Sequence, residues 1–308
     1  MNILFVDTVH PFLKENLELN KHICVTAYNQ NKEEIEQDIH NYEGIIIRSK
    51  FKIDKQFINK AIKLKFIARA GSGLENINVK YANEKNITCI NAPEGNRQAV
   101  AEHSIGLLLS LFNNINRSDH EIRNGIWERE QNRGLEIKGK TISIIGYGNT
   151  GKSFANIIKS FNTNILVYDK YLKNHPFQSS MDNIYKKTDI LSLNIPLTQE
   201  THHLINNKFI SKFHKSFYLI NTSRGNCVNT NHLVESLKTN KIKGACLDVL
   251  EDEKSCFTKL SSKNFNKDMS YLINCKNVVM TPHIAGWSKE SNIKIAKILF
   301  KKICDLNI

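Results

Sequence analysis

Two side chains suited to carbonyl reduction follow strand-like segments in the second half of the chain. Arg224 follows the apolar run 217–221, and His283 follows the run 277–281. A guanidinium pairs with a carboxylate and polarises a carbonyl, and an imidazole protonates a developing alkoxide. Because open α/β sheets bind ligands at the carboxyl ends of their strands, both residues are candidates for a site that transfers a hydride to a 2-keto acid.

A glycine-rich turn upstream has the pattern of a dinucleotide-binding motif. The buried-strand pattern 141–145 leads into Gly146-Tyr147-Gly148-Asn149-Thr150-Gly151, and a helical segment follows. The first glycine permits a tight turn, the second lets the pyrophosphate approach the backbone, and the third lets helix and strand pack closely. Free N–H groups at the start of the helix then bind the anion. Alone, the motif is weak evidence, because glycine-rich turns are common.

The next strand candidate strengthens the motif and favours NAD over NADP. The run 165–168 ends at Asp169, about twenty residues beyond the glycines, where a carboxylate can hold the ribose 2′-hydroxyl. Lys170 complicates this prediction, because a cation beside the acid could tolerate a 2′-phosphate. An exposed loop lysine is the favoured interpretation.

Short β-branched runs alternate with helical patterns along the whole chain, which is typical of parallel α/β sheets. The strand candidates fall into two series, which implies two sheets. The first series comprises residues 3–7, 23–27, 45–48, 66–70 and 87–91. The second comprises residues 141–146, 165–169, 189–193, 217–221, 244–249 and 277–281. Between the series, residues 99–112 are apolar on nearly every face, as expected for a helix buried between two bodies.

The end of the chain completes the domain prediction. Ser288 can cap a last helix with one apolar stripe, for which the first domain would supply a partner surface. The stripe comprises Ile295, Leu299, Ile303 and Leu306. We predict two doubly wound parallel-sheet α/β domains, a flavodoxin-like substrate domain at 1–95 and 287–308 and an NAD-binding Rossmann domain at 96–286. The polar segment 254–274 is interpreted as a long loop.

The composition argues against several other classes of protein. A chain of 308 residues with 41% hydrophobic content is long enough for about two domains. The net charge of +13 comes from lysines spread along the chain, so nucleic-acid binding is not expected, although a basic cleft could attract an acidic substrate. The seven cysteines lack metal-ligand spacing and are interpreted as reduced core thiols, with no metal site. The sequence has no signal-peptide or membrane-span pattern, so we expect a cytoplasmic protein.

Several motifs, in order, resemble the D-isomer-specific 2-hydroxyacid dehydrogenase family, and within it the phosphoglycerate dehydrogenase group. The resemblance covers nearly the whole chain. Besides the glycine turn and the segments of Arg224 and His283, it is carried by residues 70–77, 91–93, 100–102, 196–198 with Thr201, and 244–249.

The resemblance implies catalytic roles for three residues. His283 would be the acid/base, Glu253 would hydrogen-bond it, and Arg224 would bind the substrate's carboxylate and carbonyl. A carboxylate beside an imidazole stabilises its protonated, proton-donating form. Glu251 is an alternative partner, because it lies close by and a lysine replaces the proline that often follows the family's glutamate. The spacing after Asp248 favours Glu253.

The resemblance also implies binding residues. Asp248 would contact the nicotinamide carboxamide. NAD would be lined by Gly146, Gly148, Asn149, Thr150, Gly151, Asp169, Pro196, Thr201, Thr222, Ser223, His283, Ala285 and Gly286. The backbone N–H groups of Gly71, Ser72 and Gly73 would face the substrate carboxylate. His202 and His203 are interpreted as loop or cofactor-adjacent residues.

The substrate implied is 3-phosphoglycerate, converted to 3-phosphohydroxypyruvate in serine biosynthesis. Arg48, Ser49 and Lys50 match a segment that faces the substrate in phosphoglycerate dehydrogenases, although ordinary surface charge is the alternative. Arg129 lies in a segment that resembles one reaching the neighbouring subunit's cleft; alternatively, Trp127 only anchors a homodimer. Because the chain ends soon after the last helix, the regulatory domain of many phosphoglycerate dehydrogenases is expected to be absent.

Two other functions stay open. A glyoxylate or hydroxypyruvate reductase would share every catalytic residue and differ mainly in the pocket walls. An NAD-sensing protein that docks a partner, as the related corepressors do, is the alternative from another class.

Overall fold

The computed structural model describes residues 1–251, 253 and 265–306, which fold as two units. One unit comprises residues 1–97 and 287–306, and the other comprises residues 98–251, 253 and 265–286. Each unit contains a parallel sheet with helices. The predicted fold class, two parallel-sheet α/β domains, is confirmed.

The first unit contains a five-stranded sheet. Its strands are Asn2–Phe5 (β1), Ile23–Thr26 (β2), Gly44–Ile47 (β3), Phe66–Arg69 (β4) and Thr88–Asn91 (β5). The order is β2-β1-β3-β4-β5, and the pairings are parallel. This is the flavodoxin-like order, in which ligands bind at the switch point between β1 and β3. The helices of this unit are Pro11–Leu19 (α1), Lys32–Asp38 (α2), Lys55–Lys60 (α3), Val79–Glu84 (α4) and, at the end of the chain, Lys289–Cys304 (α12).

The last helix packs against the first sheet. The hydroxyl of Ser288 caps α12 by accepting the backbone N–H of Ser291 at 2.9 Å. Leu299 and Ile303, from the apolar stripe, are fully buried in a cluster that includes β1. Burial of these two side chains contributes about 3–6 kcal/mol.

The second unit contains a six-stranded sheet. Its strands are Thr141–Ile145 (β6), Asn164–Tyr168 (β7), Ile190–Leu193 (β8), Phe217–Asn221 (β9), Ile242–Leu247 (β10) and Val278–Met280 (β11), in the order β11-β10-β9-β8-β6-β7. A parallel bridge between Val167 and Gln178 adds a minimal strand outside β7. With Gln178 counted as the third strand, the strands from Gln178 to β10 have the 3-2-1-4-5-6 order of dinucleotide-binding sheets, and β11 adds a seventh strand at the end. The switch point lies between β6 and β8.

Helices accompany this sheet and begin at the boundary between the units. They are Arg97–Phe112 (α5), Ile115–Arg123 (α6), Asn149–Ile158 (α7), Met181–Lys187 (α8), Asn207–Ile210 (α9), Thr230–Lys238 (α10) and Lys267–Asn274 (α11). No helix in the described part of the chain is long and apolar enough to span a membrane.

Two predictions from the sequence are wrong. The predicted loop 254–274 contains α11, which Asn266 caps by accepting the N–H of Met269, and Leu272 of this helix is buried in the core. Residues 254–264 of that prediction lie outside the described residues. Not all cysteines are core thiols, because Cys304 is exposed on α12.

Candidate active site

The glycine turn joins β6 to α7 in the strand–turn–helix order that the motif requires. Gly146 has a φ of +91°, and a Cβ there would lie 2.2 Å from the carbonyl oxygen of Asn194. A Cβ on Gly151 would lie 2.1 Å from the carbonyl oxygen of Gly146, so the fold itself requires both glycines. A Cβ on Gly148 would meet no protein atom within 4 Å. This open space, where a pyrophosphate would approach the backbone, fits a dinucleotide.

Asp169 fastens the turn to the loop after β7. Its Oδ2 accepts the N–H of Tyr147 at 2.7 Å, and its Oδ1 accepts the N–H of Tyr171 at 2.8 Å. The carboxylate therefore lies beside the glycine turn, at the place where the sequence predicts the ribose site. The ammonium of Lys170, the next residue, donates to Glu200 at 2.6 Å.

Other predicted cofactor residues lie in the loops and at the helix start. Thr201 Oγ1 donates to the carbonyl oxygen of Pro196 at 2.7 Å, which closes the loop after β8. Thr222 Oγ1 lies 3.0 Å from the hydroxyl of Ser104, a buried residue of α5. Asn149 and Thr150 form the first turn of α7.

Arg224 lies in a loop after β9 that Asn221 closes. Asn221 Oδ1 accepts the N–H and the hydroxyl of Ser223 at 3.1 and 2.8 Å, and its Nδ2 donates to the carbonyl oxygen of Arg224 at 3.0 Å. The guanidinium donates to the carbonyl oxygen of Ser223 at 2.7 Å. A Cβ on Gly225 would lie 1.9 Å from the carbonyl oxygen of Leu250, so this loop packs directly against the segment after β10.

His283 follows β11 in a left-handed backbone conformation that Asp248 holds. Its φ of +54° costs about 1–3 kcal/mol in a residue other than glycine. The buried carboxylate of Asp248 accepts the hydroxyl of Thr281 at 2.6 Å and the N–H groups of Ile284 and Ala285 at 2.8 Å. The N–H of His283 donates to the backbone oxygen of Asp248 at 2.8 Å. The nicotinamide contact predicted for Asp248 would thus involve a carboxylate whose two oxygens already hold this loop.

The two candidate glutamates bind different histidines. Nδ1 of His283 is hydrogen-bonded to Oε1 of Glu253. Glu251 instead pairs with Nε2 of His203 at 2.6 Å and accepts the N–H of Thr230 at 2.8 Å. Burial alone would raise the pKa of Glu251, but the hydrogen bonds from Thr230 and His203 outweigh burial and hold the pKa below its usual range.

Three neighbouring strands position the proposed catalytic side chains. Arg224 follows β9, Glu253 follows β10 and His283 follows β11, and these strands are adjacent and parallel in one sheet. Their loops therefore leave the same edge of the sheet. The glycine turn leaves that edge from β6. A guanidinium and an imidazole–carboxylate pair are the groups needed for anion binding and proton transfer.

The predicted substrate segment lies in the other unit, where it follows β3 at the switch point of the first sheet. Asp7, which follows β1, accepts the backbone N–H groups of Arg48, Ser49 and Lys50 on its Oδ2 at 2.7, 2.9 and 3.1 Å. The protein's own carboxylate at Asp7 thus binds the three backbone amides of this segment, which are then not available to a bound anion.

The two cationic side chains of the segment differ in their partners. The ammonium of Lys50 donates to the carbonyl oxygens of Ala27 and Tyr28 at 2.9 and 2.7 Å, so it holds a neighbouring loop. The guanidinium of Arg48 stacks on the indole ring of Trp287, 4.5 Å from the ring centroid. Trp287 is 65% exposed. Arg48 is therefore the better placed of the two cations to meet a bound anion.

Arg69, at the end of β4, is not among the site residues predicted from the sequence. Its Nε donates to the carbonyl oxygen of Arg48 at 3.1 Å. The guanidinium lies against Gly71, where an added Cβ would be only 1.6 Å from Nη1 of Arg69. In the same turn, the hydroxyl of Ser72 donates to Asn96 at 2.6 Å. The signal was present in the sequence, because Arg69 ends a strand candidate that directly precedes the predicted carboxylate-binding turn.

Residues 105–285 match the family model of the D-isomer specific 2-hydroxyacid dehydrogenase, NAD binding domain. The chain belongs to this family. The glycine turn, Asp169 and the loops of Arg224 and His283 all lie within the matched residues. The NAD cofactor predicted from the glycine turn is the one that this domain family binds.

Relatives of this chain are named for different activities. A D-3-phosphoglycerate dehydrogenase of Methanocaldococcus jannaschii is 33% identical over 98% of this chain and 57% of its own length. A hydroxypyruvate reductase of Thermotoga maritima is 33% identical over 94% of this chain and 91% of its own length. The chain spans about half the length of the phosphoglycerate dehydrogenases it matches. The solved structure of an acyclic imino acid reductase with NADPH and D-Arg is 28% identical, with a TM-score of 0.86 over 98% of this chain and 96% of that one.

Proposed function

We propose that this chain is an NAD-dependent oxidoreductase that interconverts a D-2-hydroxy acid and its 2-keto acid. The observation that carries the proposal is the hydrogen bond between His283 and Glu253 in loops adjacent to that of Arg224. Family membership supplies the reaction class, and the retained groups match what that reaction requires of the protein.

We propose that Nε2 is the reactive nitrogen of His283. Because Nδ1 is bonded to Glu253, Nε2 is the atom that exchanges a proton with the substrate oxygen. During oxidation Nε2 takes the hydroxyl proton, while the hydrogen on C2 leaves with its electron pair; during reduction Nε2 returns the proton to the alkoxide. The cofactor that the glycine turn and Asp169 would hold would supply the hydride acceptor in its oxidised form and the hydride donor in its reduced form. Glu253 compensates the positive charge on the imidazole whenever the proton is held there.

Arg224 supplies the positive charge that this chemistry needs. Its loop is held by the hydrogen bonds of Asn221 and by the packing of Gly225 against Leu250, so the backbone that carries the guanidinium is rigid. A guanidinium pairs with the substrate carboxylate through two parallel hydrogen bonds and stabilises negative charge on the C2 oxygen.

For the substrate, we propose 3-phosphoglycerate and 3-phosphohydroxypyruvate, as in serine biosynthesis. The support comes from Arg48, which lies at the ligand-binding switch point of its sheet with Trp287 stacked against it. The stacking holds the guanidinium in place and leaves its edge available to a planar or tetrahedral anion. Similarity to phosphoglycerate dehydrogenases over most of the chain supports the same substrate.

Hydroxypyruvate or glyoxylate is the second candidate substrate, and one observation favours it. The amides of Arg48, Ser49 and Lys50 are bound to Asp7, and the ammonium of Lys50 is bound to two carbonyl oxygens. Fewer groups of this segment are thus available for a phosphate than its composition suggests. The relative from Thermotoga maritima, which this chain matches over most of its length, is named a hydroxypyruvate reductase.

A substrate panel separates the two candidates. We would measure kcat/KM for NADH oxidation with 3-phosphohydroxypyruvate, hydroxypyruvate and glyoxylate. The proposal predicts a preference for the phosphorylated acid that Arg48→Ala lowers by about ten- to a hundredfold, the usual worth of a charged hydrogen bond, while hydroxypyruvate is affected little. Lys85→Ala is the matched control. Lys85 lies at the carboxyl end of α4 and precedes β5, so it is near the amino-terminal ends of the strands, whereas Arg48 follows the carboxyl end of β3. Equal kcat/KM values for all three acids would reject 3-phosphohydroxypyruvate as the specific substrate and support a hydroxypyruvate or glyoxylate reductase.

We also propose that the protein acts as a homodimer. The exposed apolar residues of α6 and the segment after it support this proposal; they are Ile115, Ile122, Ile126 and Trp127. Trp127 is 79% exposed, which is unusual for an indole on a monomer surface. Light scattering after size-exclusion chromatography should give a dimer for the wild type and a shift toward monomer for Trp127→Ser.

A further inference from the structure

An ion pair joins the two loops that flank the glycine turn. Lys170 follows β7, Glu200 lies in the loop after β8, and Nζ of Lys170 contacts Oε2 of Glu200 at 2.6 Å. In the sheet, β6 lies between β7 and β8 and carries the turn. The pair therefore links loops on both sides of the strand that leads into Gly146–Gly151.

The loop of Glu200 is ordered by its own hydrogen bonds. Thr201 Oγ1 accepts the N–H of Thr198 at 2.7 Å and donates to the carbonyl oxygen of Pro196 at 2.7 Å. The backbone of Glu200 lies within this closed turn, so its carboxylate reaches Lys170 from a fixed support. The ion pair is exposed, with 50% and 72% of the two side chains accessible, and its strength will depend on salt.

The charges around Asp169 determine what the ribose 2′-position can carry. A 2′-phosphate would bring about two negative charges next to the carboxylate of Asp169, and only a nearby cation could offset that repulsion. Lys170 is the adjacent residue that could do so. Hydrogen bonding to Glu200, with a smaller contribution from Tyr171, raises the pKa of Lys170, so its ammonium stays charged at neutral pH.

We propose that Glu200 is a specificity-determining residue that favours NAD over NADP by pairing with the ammonium of Lys170, which then does not offset the charge of a ribose 2′-phosphate. The inference rests on the proposed role of Asp169 at the ribose. Glu200 neutralises Lys170, so that the local charge presented to the 2′-position is that of Asp169 alone. The sequence left open whether Lys170 admits a 2′-phosphate, and the ion pair supplies a physical reason why it does not.

The test compares binding of the two reduced cofactors without any substrate. Nicotinamide fluorescence gives the Kd of NADH and of NADPH for the wild type, Glu200→Gln, Lys170→Gln and the double variant. We expect wild-type protein to prefer NADH, and Glu200→Gln to improve NADPH affinity relative to NADH by about two- to fivefold, as befits an exposed ion pair. Lys170→Gln alone should not improve it, and adding Lys170→Gln to Glu200→Gln should abolish the gain. The gain should also shrink as salt is raised.

Each other outcome would overturn the inference. An equal gain in Glu200→Gln and the double variant would mean that Glu200 acts by direct repulsion and not through Lys170. No gain in Glu200→Gln, or equal NADH and NADPH affinities in the wild type, would remove its role in selectivity. Failure of the wild type to bind NADH would instead reject the cofactor site itself, so the two failures are distinguishable. Glu130→Gln, which breaks another exposed ion pair of the same unit, controls for the change in net charge.

Discussion

His283 and Glu253 are thirty residues apart in sequence, and their side chains share a hydrogen bond between Nδ1 and Oε1. Glu251, which is closer in sequence to the end of β10, binds His203 instead. This division of partners assigns one carboxylate to the proposed acid/base and the other to the support of the loop. The two glutamates should therefore respond differently to the same substitution.

His283→Ala should remove proton transfer and leave cofactor binding nearly intact. We expect kcat to fall by roughly 10²–10⁴, the usual contribution of a positioned acid/base. Steady-state kinetics would give kcat, and NADH fluorescence titration would give the Kd. A large loss of NADH affinity would show that the imidazole serves the cofactor and not the proton.

Glu253→Gln should lower kcat through His283, because an amide does not stabilise a protonated imidazole as a carboxylate does. We expect a loss of up to about 10²-fold, part of the acid/base contribution, with partial recovery in Glu253→Asp. Glu251→Gln is the matched control and should reduce kcat far less. If the control variant loses as much activity as Glu253→Gln, the assignment of the two carboxylates is reversed.

Glu251 should contribute to stability in a pH-dependent way. Its pKa lies below the usual range in the folded protein, because hydrogen bonds from Thr230 and His203 outweigh burial. The carboxylate therefore stabilises the fold above its unfolded pKa, and this contribution is lost as the pH falls through the lower, folded value. Thermal melting of Glu251→Gln should show a midpoint about 2–4 °C below wild type at pH 7, and a smaller difference at pH 4. A difference that grows on acidification would contradict this account.

Thr281→Val should loosen the loop that carries His283. The substitution removes the hydroxyl that donates to the buried carboxylate of Asp248, which costs about 1–3 kcal/mol. Because His283 has a left-handed backbone, we expect kcat to fall together with the melting midpoint. Thr281→Ser keeps the hydroxyl and should restore both. A stable Thr281→Val variant with full kcat would show that the other bonds of Asp248 suffice.

Gly148 and Gly146 form a matched pair in the glycine turn. A Cβ on Gly148 meets no protein atom within 4 Å, so Gly148→Ala should fold normally and yet bind NADH about tenfold or more weakly, because the methyl group occupies the path of the pyrophosphate. Gly146→Ala should destabilise the protein itself, because φ is +91° and the Cβ would lie 2.2 Å from a carbonyl oxygen. Melting curves and NADH titration distinguish the two effects. Unchanged NADH affinity in Gly148→Ala would mean that the cofactor does not approach this turn.

Much of the fold could be predicted because parallel strands are short, apolar and β-branched. The predicted strand 217–221 coincides with β9, whereas the predicted 244–249 begins two residues late because Lys243 is exposed in an otherwise buried strand. The helix α11 was missed because only Met269 and Leu272 are buried in a polar segment. Local periodicity is a weak signal when so few side chains meet the core.

The candidate site was predictable where the backbone alone dictates residue type. Gly151 is required by a contact within its own turn, with the carbonyl oxygen of Gly146, and the φ of +91° at Gly146 itself favours glycine, so the local sequence carries the signal for both residues. The partners of Arg48 could not be predicted in the same way. Asp7 lies 41 residues before it, and Trp287 belongs to the last segment of the chain. Only the folded sheet brings such distant residues together.

The carboxylate of Asp7 has a consequence for how this protein could change its substrate. Three consecutive amides are already satisfied from within, so the β3 loop keeps its shape whatever anion arrives. Recognition of the substrate acid then depends on the side chains of this loop, which can be replaced while the backbone keeps its conformation. A substitution at position 48 would change which acid the protein prefers and leave the conformation of the loop after β3 largely unchanged.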